Sequence, residues 1–278
     1  MGERAARALL LAALATAPAA RAGEVHVAVA TNFAATARAL GAAFAREQDD
    51  TVVVSEGSTG KLYAQIVNGA PYEVLLAADA ERPARLEAGG QAIAGTRFPY
   101  ALGQLVLWSP DAGRVEGASA LRGDFRHLAI ANPELAPYGA AALDTLRGLG
   151  LWDALQPRLV RGEDIGQTYQ FVATGNAELG FVALSQVAGA GGSRWLVPAD
   201  HHAPLEQQAV LLGPGRDDGA ARAFLGFLRS DAARRTIAAA GYALPPASPA
   251  PAALPAPLAP PGPPAPPAPL ASPAPPAP

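Results

Sequence analysis

The sequence predicts an α/β protein with two lobes, each a sheet flanked by helices. Short apolar segments with strand character alternate with amphipathic helical segments, the order that builds parallel sheets. A second set of strands and helices follows the first, which indicates a second lobe. Residues 24–244 lie between an apolar N-terminal segment and a proline-rich C-terminal segment. That length suffices for one large domain or two modest lobes.

The first lobe begins with strands and helices in strict alternation. Val25, Val27 and Val29 alternate with other residues in the first segment, as in a buried strand, and apolar residues then recur at helical spacing. The predicted strands cover residues 24–30, 51–55 and 72–79, and the predicted helices cover residues 33–46 and 62–68. Because the connections are short, right-handed crossovers place these strands in a parallel sheet.

Two polar turns follow the first two strands. Thr31 and Asn32 come after the first strand, and Ser58 and Thr59 come after the second. The carboxyl ends of parallel strands share the sheet edge at which open α/β sheets bind ligands. Each turn also precedes a helix, whose free N–H groups and dipole favour an anion. Helix capping explains each residue taken singly, and the two turns together make an anion site an equal alternative.

The second half of the chain repeats the alternation. A helix begins at Pro137 and Tyr138 and ends at Gly148 or Gly150, because proline suits a first turn and glycine a helix exit. The other predicted elements are strands within residues 103–109, 127–133, 179–184 and 207–213 and helices within residues 163–175 and 220–240. The late strand at residues 207–213 is expected to return to the first lobe.

The N-terminal segment has the pattern of a secretory signal peptide at residues 1–22. Arg4 and Arg7 precede an apolar run at residues 8–17, and Ala20-Arg21-Ala22 forms a small-x-small cleavage site. The run is too short to span a bilayer, and an uncleaved anchor is the alternative. We therefore expect a periplasmic protein, without disulfides because the chain has no cysteine.

The C-terminal segment, residues 245–278, holds 17 of the chain's 28 prolines and carries no charge. Such a composition favours an extended, disordered, polyproline-like tail over a helix or strand. A specific docking role for the tail is the alternative.

Seven motifs, in this order, resemble those of the molybdate-binding periplasmic proteins of ABC importers, which are two-lobed solute-binding proteins. They are ATNF (residues 30–33), GSTGKLYAQIVNGAPYEV (57–74), AAD (77–79), FPYALGQLVLWS (98–109), ANPELAPYG (131–139), LGFVALSQV (179–187) and QQAVLL (207–212). The resemblance covers residues 24–244. It implies a periplasmic binding protein fold, with residues 24–103 and 207–244 in lobe 1, residues 104–206 in lobe 2, and the ligand in the cleft.

The resemblance also implies molybdate or tungstate as ligand, an inner-membrane ABC permease as partner, and no cofactor. Carried over position by position, the ligand-binding residues are Thr31, Asn32, Ser58 and Thr59 from lobe 1 and Tyr138 and the backbone N–H of Ile165 from lobe 2. This sequence departs from some members at two positions. Ala183 stands where another branch has a tyrosine, and Glu73 stands where many members have an aspartate.

The implied residue types suit a tetrahedral dianion. MoO₄²⁻ offers four acceptor oxygens, so a selective site needs hydroxyl, amide and N–H donors and no carboxylate facing the oxygens. Tungstate has nearly the same size and should bind comparably. Lys61 is expected at the surface rather than among the ligands, and no free metal cation is expected, because the molybdenum would be held as its oxyanion.

Other function classes are less well supported by the sequence. A P-loop needs four residues between its glycines, whereas only Ser58 and Thr59 separate Gly57 from Gly60. No G-x-S-x-G or H-E-x-x-H motif is present, and the pair His201-His202 lacks further metal ligands nearby in sequence. We therefore expect no enzyme activity.

A ligand-sensing regulator would need a DNA-binding helix pair, whereas only the predicted signal peptide precedes residue 24. No nucleic-acid partner is expected. A binder of another oxyanion, such as sulfate, or of a small organic anion remains the alternative.

Overall fold

The computed structural model describes residues 23–246. The predicted signal peptide at residues 1–22 and all but the first two residues of the predicted tail lie outside the described residues. From the N-terminus, the first elements are β1 (Glu24–Ala30), α1 (Ala34–Gln48), β2 (Thr51–Gly57), α2 (Thr59–Val67), β3 (Val74–Leu76), α3 (Glu81–Ala88), β4 (Phe98–Leu102), β5 (Leu105–Ser109), β6 (Leu128–Ala131) and α4 (Pro137–Gly148). They are followed by α5 (Trp152–Leu155), β7 (Leu159–Gly162), α6 (Ile165–Ala173), β8 (Leu179–Ala183), α7 (Leu184–Val187), β9 (Ser193–Leu196), β10 (Glu206–Leu211), α8 (Gly219–Phe227) and α9 (Asp231–Ala239).

The first sheet has the strand order β2-β1-β3-β10-β4. β1 pairs in parallel with both β2 and β3, as the alternation of strands and helices predicts. β10 pairs antiparallel with β3 and with β4, so the late strand does return to the first sheet, as expected. The sheet is therefore mixed rather than wholly parallel.

The second sheet has the strand order β7-β6-β8-β5-β9 and repeats this plan. β6 pairs in parallel with β7 and β8, while β5 pairs antiparallel with β8 and β9. The chain passes from the first sheet to the second between β4 and β5 and comes back between β9 and β10. We call the part around the first sheet lobe 1 and the part around the second sheet lobe 2.

Each lobe has its own apolar core. In lobe 1, the alternating valines of β1 pack with Phe44 of α1 and Phe224 of α8, whose rings meet edge to face at 5.3 Å between centroids. In lobe 2, Leu105 and Leu107 pack with Phe181 of β8. Each such side chain, fully buried, contributes about 1.5–3 kcal/mol to stability. The packed cores hold the strands in place, and with them the strand ends that the polar turns follow.

One predicted helix is wrong in its extent. Residues 220–240 form two helices, α8 and α9, instead of one. The break has a local cause, because Ser230 takes an extended conformation and its side chain accepts a hydrogen bond from the backbone N–H of Ala233 at 3.1 Å, which caps a new helix. Among the described residues, no helix is both long enough and apolar enough to cross a membrane.

Candidate functional site

The N-terminal ends of four helices meet at the cleft between the lobes. In lobe 1, a 3₁₀ turn at Thr31–Phe33 leads into α1, and α2 begins at Thr59. In lobe 2, α4 begins at Pro137 and α6 begins at Ile165. β1 and β2 end side by side, with Ala30 opposite Gly57, so the two polar turns share one sheet edge. Each terminus presents backbone N–H groups with no partner inside the helix and the positive end of a dipole.

One cavity touches all of these termini. Its lining comprises Ala30, Thr31, Asn32, Gly57, Ser58, Thr59, Ala78, Ala136, Pro137, Tyr138, Asp164 and Ile165. All six site residues predicted from the sequence are therefore brought together. The lining contains no lysine, arginine or histidine, so any anion held here is held by dipoles and neutral donors.

Thr31 carries an unusual hydroxyl. Its Oγ1 is buried, yet it has no hydrogen-bond partner within residues 23–246. A buried hydroxyl without a partner costs about 1–3 kcal/mol. Because Thr31 lines the cavity, its hydroxyl is suited to donate to a bound ligand.

The side-chain amide of Asn32 does not face the cavity as a donor, contrary to the sequence-based expectation. Its side-chain Nδ2 donates to Gln207 Oε1 at 3.0 Å and to the Tyr242 hydroxyl at 3.1 Å. Both amide hydrogens are thus engaged away from the cavity. The backbone N–H of Asn32, in the turn before α1, is the donor that this residue has left for a ligand.

Ser58 and Thr59 combine a structural hydrogen bond with the ability to donate. Ser58 Oγ caps α2 by accepting from the backbone N–H of Lys61 at 3.4 Å, whereas Thr59 Oγ1 accepts from the backbone N–H of Ala78, after β3, at 3.1 Å. In both bonds the hydroxyl oxygen is the acceptor, so each hydroxyl keeps its own hydrogen for another partner. Helix capping by Ser58 is therefore compatible with ligand binding, and Thr59 is not a cap.

Tyr138 and Ile165 are the predicted site residues that lobe 2 contributes. The Tyr138 hydroxyl accepts from Gln207 Nε2 at 3.3 Å, so it is directed toward the strand that bears Gln207. Burial raises the pKa of the Tyr138 hydroxyl well above its ordinary value, so this group stays neutral. The backbone N–H of Tyr138, next to Pro137 in the first turn of α4, and that of Ile165, the first residue of α6, are free of intrahelical partners.

Asp164 is the one carboxylate in the lining. It is the N-cap of α6, and its Oδ1 accepts from the backbone N–H of Gln167 at 2.9 Å. A selective anion site is expected to have no carboxylate facing the bound ion, so the position of Asp164 matters. The hydrogen bond from the first turn of α6 pairs this carboxylate with the helix N-terminus.

The two lobes touch on both sides of the cavity. The backbone N–H of Gly60 donates to the carbonyl of Leu135 at 2.8 Å, and Arg82 Nη2 donates to the carbonyl of Glu134 at 2.9 Å. On the other side, Ser185 Oγ donates to the carbonyl of Asn32 at 3.2 Å. These bonds join lobe 1 to lobe 2, so the described conformation is closed.

Lys61 lies at the rim rather than in the cavity. Its Nζ forms an ion pair with Glu163 Oε1 of lobe 2 at 2.8 Å, and both side chains are about half exposed. The hydrogen bond that the Lys61 ammonium donates to Glu163 raises the pKa of Lys61, so this ammonium is charged at neutral pH. An exposed pair of this kind contributes little to stability, but it spans the closed cleft.

A larger cavity, of about 490 Å³, lies near the passages between the lobes. Apolar residues dominate its lining, among them Leu102, Leu105, Leu196 and Leu205. It offers an anion few donors, so the smaller cavity is the candidate site. Within residues 23–246 no group of three or more His, Cys, Asp or Glu side chains is arranged to hold a metal ion.

Two polar residues that no sequence motif had marked as part of the site lie behind the cavity. Gln207, fully buried in β10, contacts Asn32 and Tyr138, while Tyr242 donates its hydroxyl to the carbonyl of Asn32 at 2.6 Å. The available clue was a glutamine pair at the start of an otherwise apolar strand, because a polar side chain buried in a strand needs a partner.

Comparisons with known proteins agree with this architecture. Residues 25–243 match the family model described as bacterial extracellular solute-binding protein. The chain is 49% identical to molybdate-binding protein ModA of Rhodobacter capsulatus over 225 residues, which covers 80% of this chain and 89% of that protein. It is 50% identical to molybdate-binding protein ModA of Azotobacter vinelandii over 232 residues, 81% and 92% of the two chains.

Among solved structures, the chain is similar to the periplasmic molybdate-binding protein of Azotobacter vinelandii. The TM-score is 0.77 at 44% identity, with 80% of this chain and 99% of that chain covered.

Proposed function

The chain belongs to the family of bacterial extracellular solute-binding proteins, and on that premise we propose that it captures molybdate, and equally tungstate, for an ABC importer. The two relatives of about 50% identity are named molybdate-binding proteins, and they are covered over about nine tenths of their length. As a member of this family, the protein is a solute-binding protein, and we propose no catalytic step for it.

One observation carries the choice of ligand. Four helix N-termini and the hydroxyls of Thr31, Ser58 and Thr59 face a cavity whose lining contains no basic side chain. A small anion with many acceptor oxygens and no proton of its own suits such a donor set. A protonated phosphate suits it less well, because the one carboxylate of the lining, Asp164, already accepts a hydrogen bond from the first turn of α6.

The proposed ligand contacts follow from the free donors. Hydroxyls come from Thr31, Ser58 and Thr59, and backbone N–H groups come from Asn32, Tyr138 and Ile165. Hydrogen bonds to a charged group contribute roughly 1.5–3 kcal/mol each. Six of them sum to roughly 9–18 kcal/mol, enough for the ~8–12 kcal/mol of micromolar to nanomolar binding and, toward the upper end, for the cost of association and desolvation.

The donors lie in both lobes, so the ligand is bound fully only when the lobes close. Ligand binding therefore shifts the population toward the closed form. We propose that this closed form is what an inner-membrane permease recognises in the periplasm, the compartment to which the predicted signal peptide directs the chain.

Calorimetry on the purified mature protein tests the proposal. We expect one molybdate or tungstate ion per chain and much weaker binding of sulfate. Mass analysis of ions that copurify from medium without added molybdate provides an independent check. Equal affinity for sulfate and molybdate would make the protein a general oxyanion binder, and tight binding of a metal cation alone would overturn the proposal.

A further inference from the structure

A buried polar network lies directly behind the ligand cavity and crosses from one lobe to the other. We call it the interlobe network, and it comprises Asn32, Tyr100, Tyr138, Gln207 and Tyr242. Each of these residues is at most 5% exposed. Because buried polar groups are costly when unpaired, a network of this size is held in a single arrangement only if its members satisfy one another.

Gln207 is the centre of the interlobe network. Its Oε1 accepts from Asn32 Nδ2 and from the Tyr100 hydroxyl, both at 3.0 Å and both in lobe 1. Its Nε2 donates to the Tyr138 hydroxyl of lobe 2 at 3.3 Å. The oxygen of one amide is thus bound to lobe 1 while its nitrogen is bound to lobe 2.

The location of Gln207 makes this connection significant for closure. It lies near the start of β10, opposite Ala101 of β4, next to both passages between the lobes. There, the backbone N–H of Gly103 donates to the carbonyl of Leu205 at 2.8 Å. A side chain on Gly103 would collide with the Tyr138 hydroxyl and lie 2.9 Å from Gln207 Nε2. The absence of a side chain at Gly103 allows Tyr138 to reach Gln207.

We infer that Gln207 is a positioning residue that sets the separation between the ligand donors of the two lobes and thereby selects oxyanions by size. This inference rests on the proposed function. Asn32 and Tyr138 present backbone N–H groups from opposite lobes, and Gln207 binds the side chains of both. The two donors are therefore held at a fixed spacing although Gln207 does not line the cavity.

Size is the property that such a spacing can discriminate. Sulfate has the charge and tetrahedral shape of molybdate but shorter bonds to oxygen. Donors held apart for the larger ion cannot all reach the smaller one, whereas lobes that close to a variable depth can adapt to either. Removing Gln207 should therefore weaken molybdate binding and, in particular, reduce the preference for molybdate over sulfate.

The neighbouring residue provides a matched control. Gln208 is also buried, but its contacts lie within lobe 1, where its Oε1 accepts from Arg97 at 2.7 Å and its Nε2 donates to Glu206 at 2.5 Å. The experiment compares Gln207→Leu with Gln208→Leu in the mature full chain. Calorimetry with molybdate and with sulfate gives both affinities, and thermal melting reports stability.

For Gln207→Leu we expect molybdate affinity to fall by about 10–100-fold, the loss typical when a residue that orients the protein ligands of a metal ion is removed. We expect a smaller fall for sulfate. For Gln208→Leu we expect the ratio of the two affinities to stay at the wild-type value. If both variants keep the wild-type ratio, the inference is wrong, although the proposed function stands. If wild-type protein does not bind molybdate, the proposed function itself fails.

A second variant covers the case in which Gln207→Leu does not fold. Tyr138→Phe removes only the hydroxyl through which Gln207 holds lobe 2 and leaves the backbone N–H in place. We expect it to lower the molybdate-to-sulfate ratio in the same direction. An unchanged ratio in a folded Tyr138→Phe protein would overturn the inference.

Discussion

Gly60 offers a way to separate lobe closure from folding. It is the second residue of α2, and its N–H donates to the carbonyl of Leu135 across the cleft. A Cβ on Gly60 would lie 2.9 Å from the Leu135 carbonyl oxygen and 3.0 Å from the Leu135 Cα. Both are backbone atoms and cannot rotate aside. Gly60→Ala should therefore keep the lobes apart without disturbing lobe 1.

The two effects of Gly60→Ala have opposite signs. Alanine is more favourable than glycine inside a helix by up to about 1 kcal/mol, so stability should stay level or rise. Closure, in contrast, loses the bond to Leu135, worth about 0.5–1.5 kcal/mol, and every ligand bond made across the cleft is stretched. We expect molybdate affinity to fall by at least about tenfold, which corresponds to 1.4 kcal/mol.

Gly226→Ala is the matched control. Gly226 lies near the end of α8, where an added Cβ would meet no atom within 4 Å. This variant should gain a similar stability and bind molybdate as the wild type does. Calorimetry gives the affinities, thermal melting the stabilities, and small-angle scattering the compaction on adding ligand. Wild-type affinity and compaction in Gly60→Ala would refute the conclusion that closure at Leu135 accompanies binding.

Three further perturbations have expected outcomes. Thr31→Val removes a buried hydroxyl that has no partner in the described residues, so molybdate affinity measured by calorimetry should fall about 10–150-fold, the equivalent of 1.5–3 kcal/mol, while the melting temperature without ligand should rise because an unpaired buried hydroxyl is removed; unchanged affinity would contradict its role as a donor. Partial burial would raise the pKa of Glu178, but the backbone N–H of His127 and the Arg126 side chain outweigh it and lower the pKa to about 2. Glu178 therefore stabilises the fold above its ordinary pKa and loses this contribution as pH falls through about 2, so urea unfolding should show Glu178→Gln less stable at neutral pH, with the difference from wild type shrinking as pH falls toward about 2; a difference of constant size would exclude the ionised carboxylate as its cause. Truncation after Pro246 should leave the affinity and the melting temperature unchanged, because the removed residues carry no charge, and a loss of several degrees would mean that the tail packs on the lobes.

The alternation of strands and helices predicted the first strands and helices of each lobe, but it missed α3, α5, β7 and β9 and did not give the direction of every strand. A period of two residues is the same in parallel and antiparallel strands, so β10 could be recognised as a strand without revealing that it pairs antiparallel to β3 and β4. β4 itself was missed because Pro99 interrupts a short run. The direction of β10 depends on how the chain returns from lobe 2, and local sequence patterns do not show that path.

The sequence predicted residues that line the cavity, but not which of their atoms face it. Hydroxyl residues after two neighbouring strands identify a sheet edge, and Pro137 identifies a helix start. Which group of Asn32 or Tyr138 faces the cavity depends on Gln207, a residue distant in sequence from both. The expected Asn32 amide donor is engaged with Gln207 and Tyr242, and no local pattern could show that.

The charge balance at the cavity leads to a last prediction. Each helix N-terminus carries roughly half a positive charge, so the four termini together oppose the −2 of a molybdate ion without any lysine or arginine in the lining, while the Asp164 carboxylate offsets the positive end of α6. Hydroxyl and backbone N–H donors neither gain nor lose protons near neutral pH, and burial raises the pKa of Tyr138 further from that range. Molybdate affinity should therefore be flat between about pH 6 and 8, measured by calorimetry at constant ionic strength. A tenfold change in Kd across that range would require a titrating side chain at the cavity, and dipoles alone could then not account for the binding of the anion.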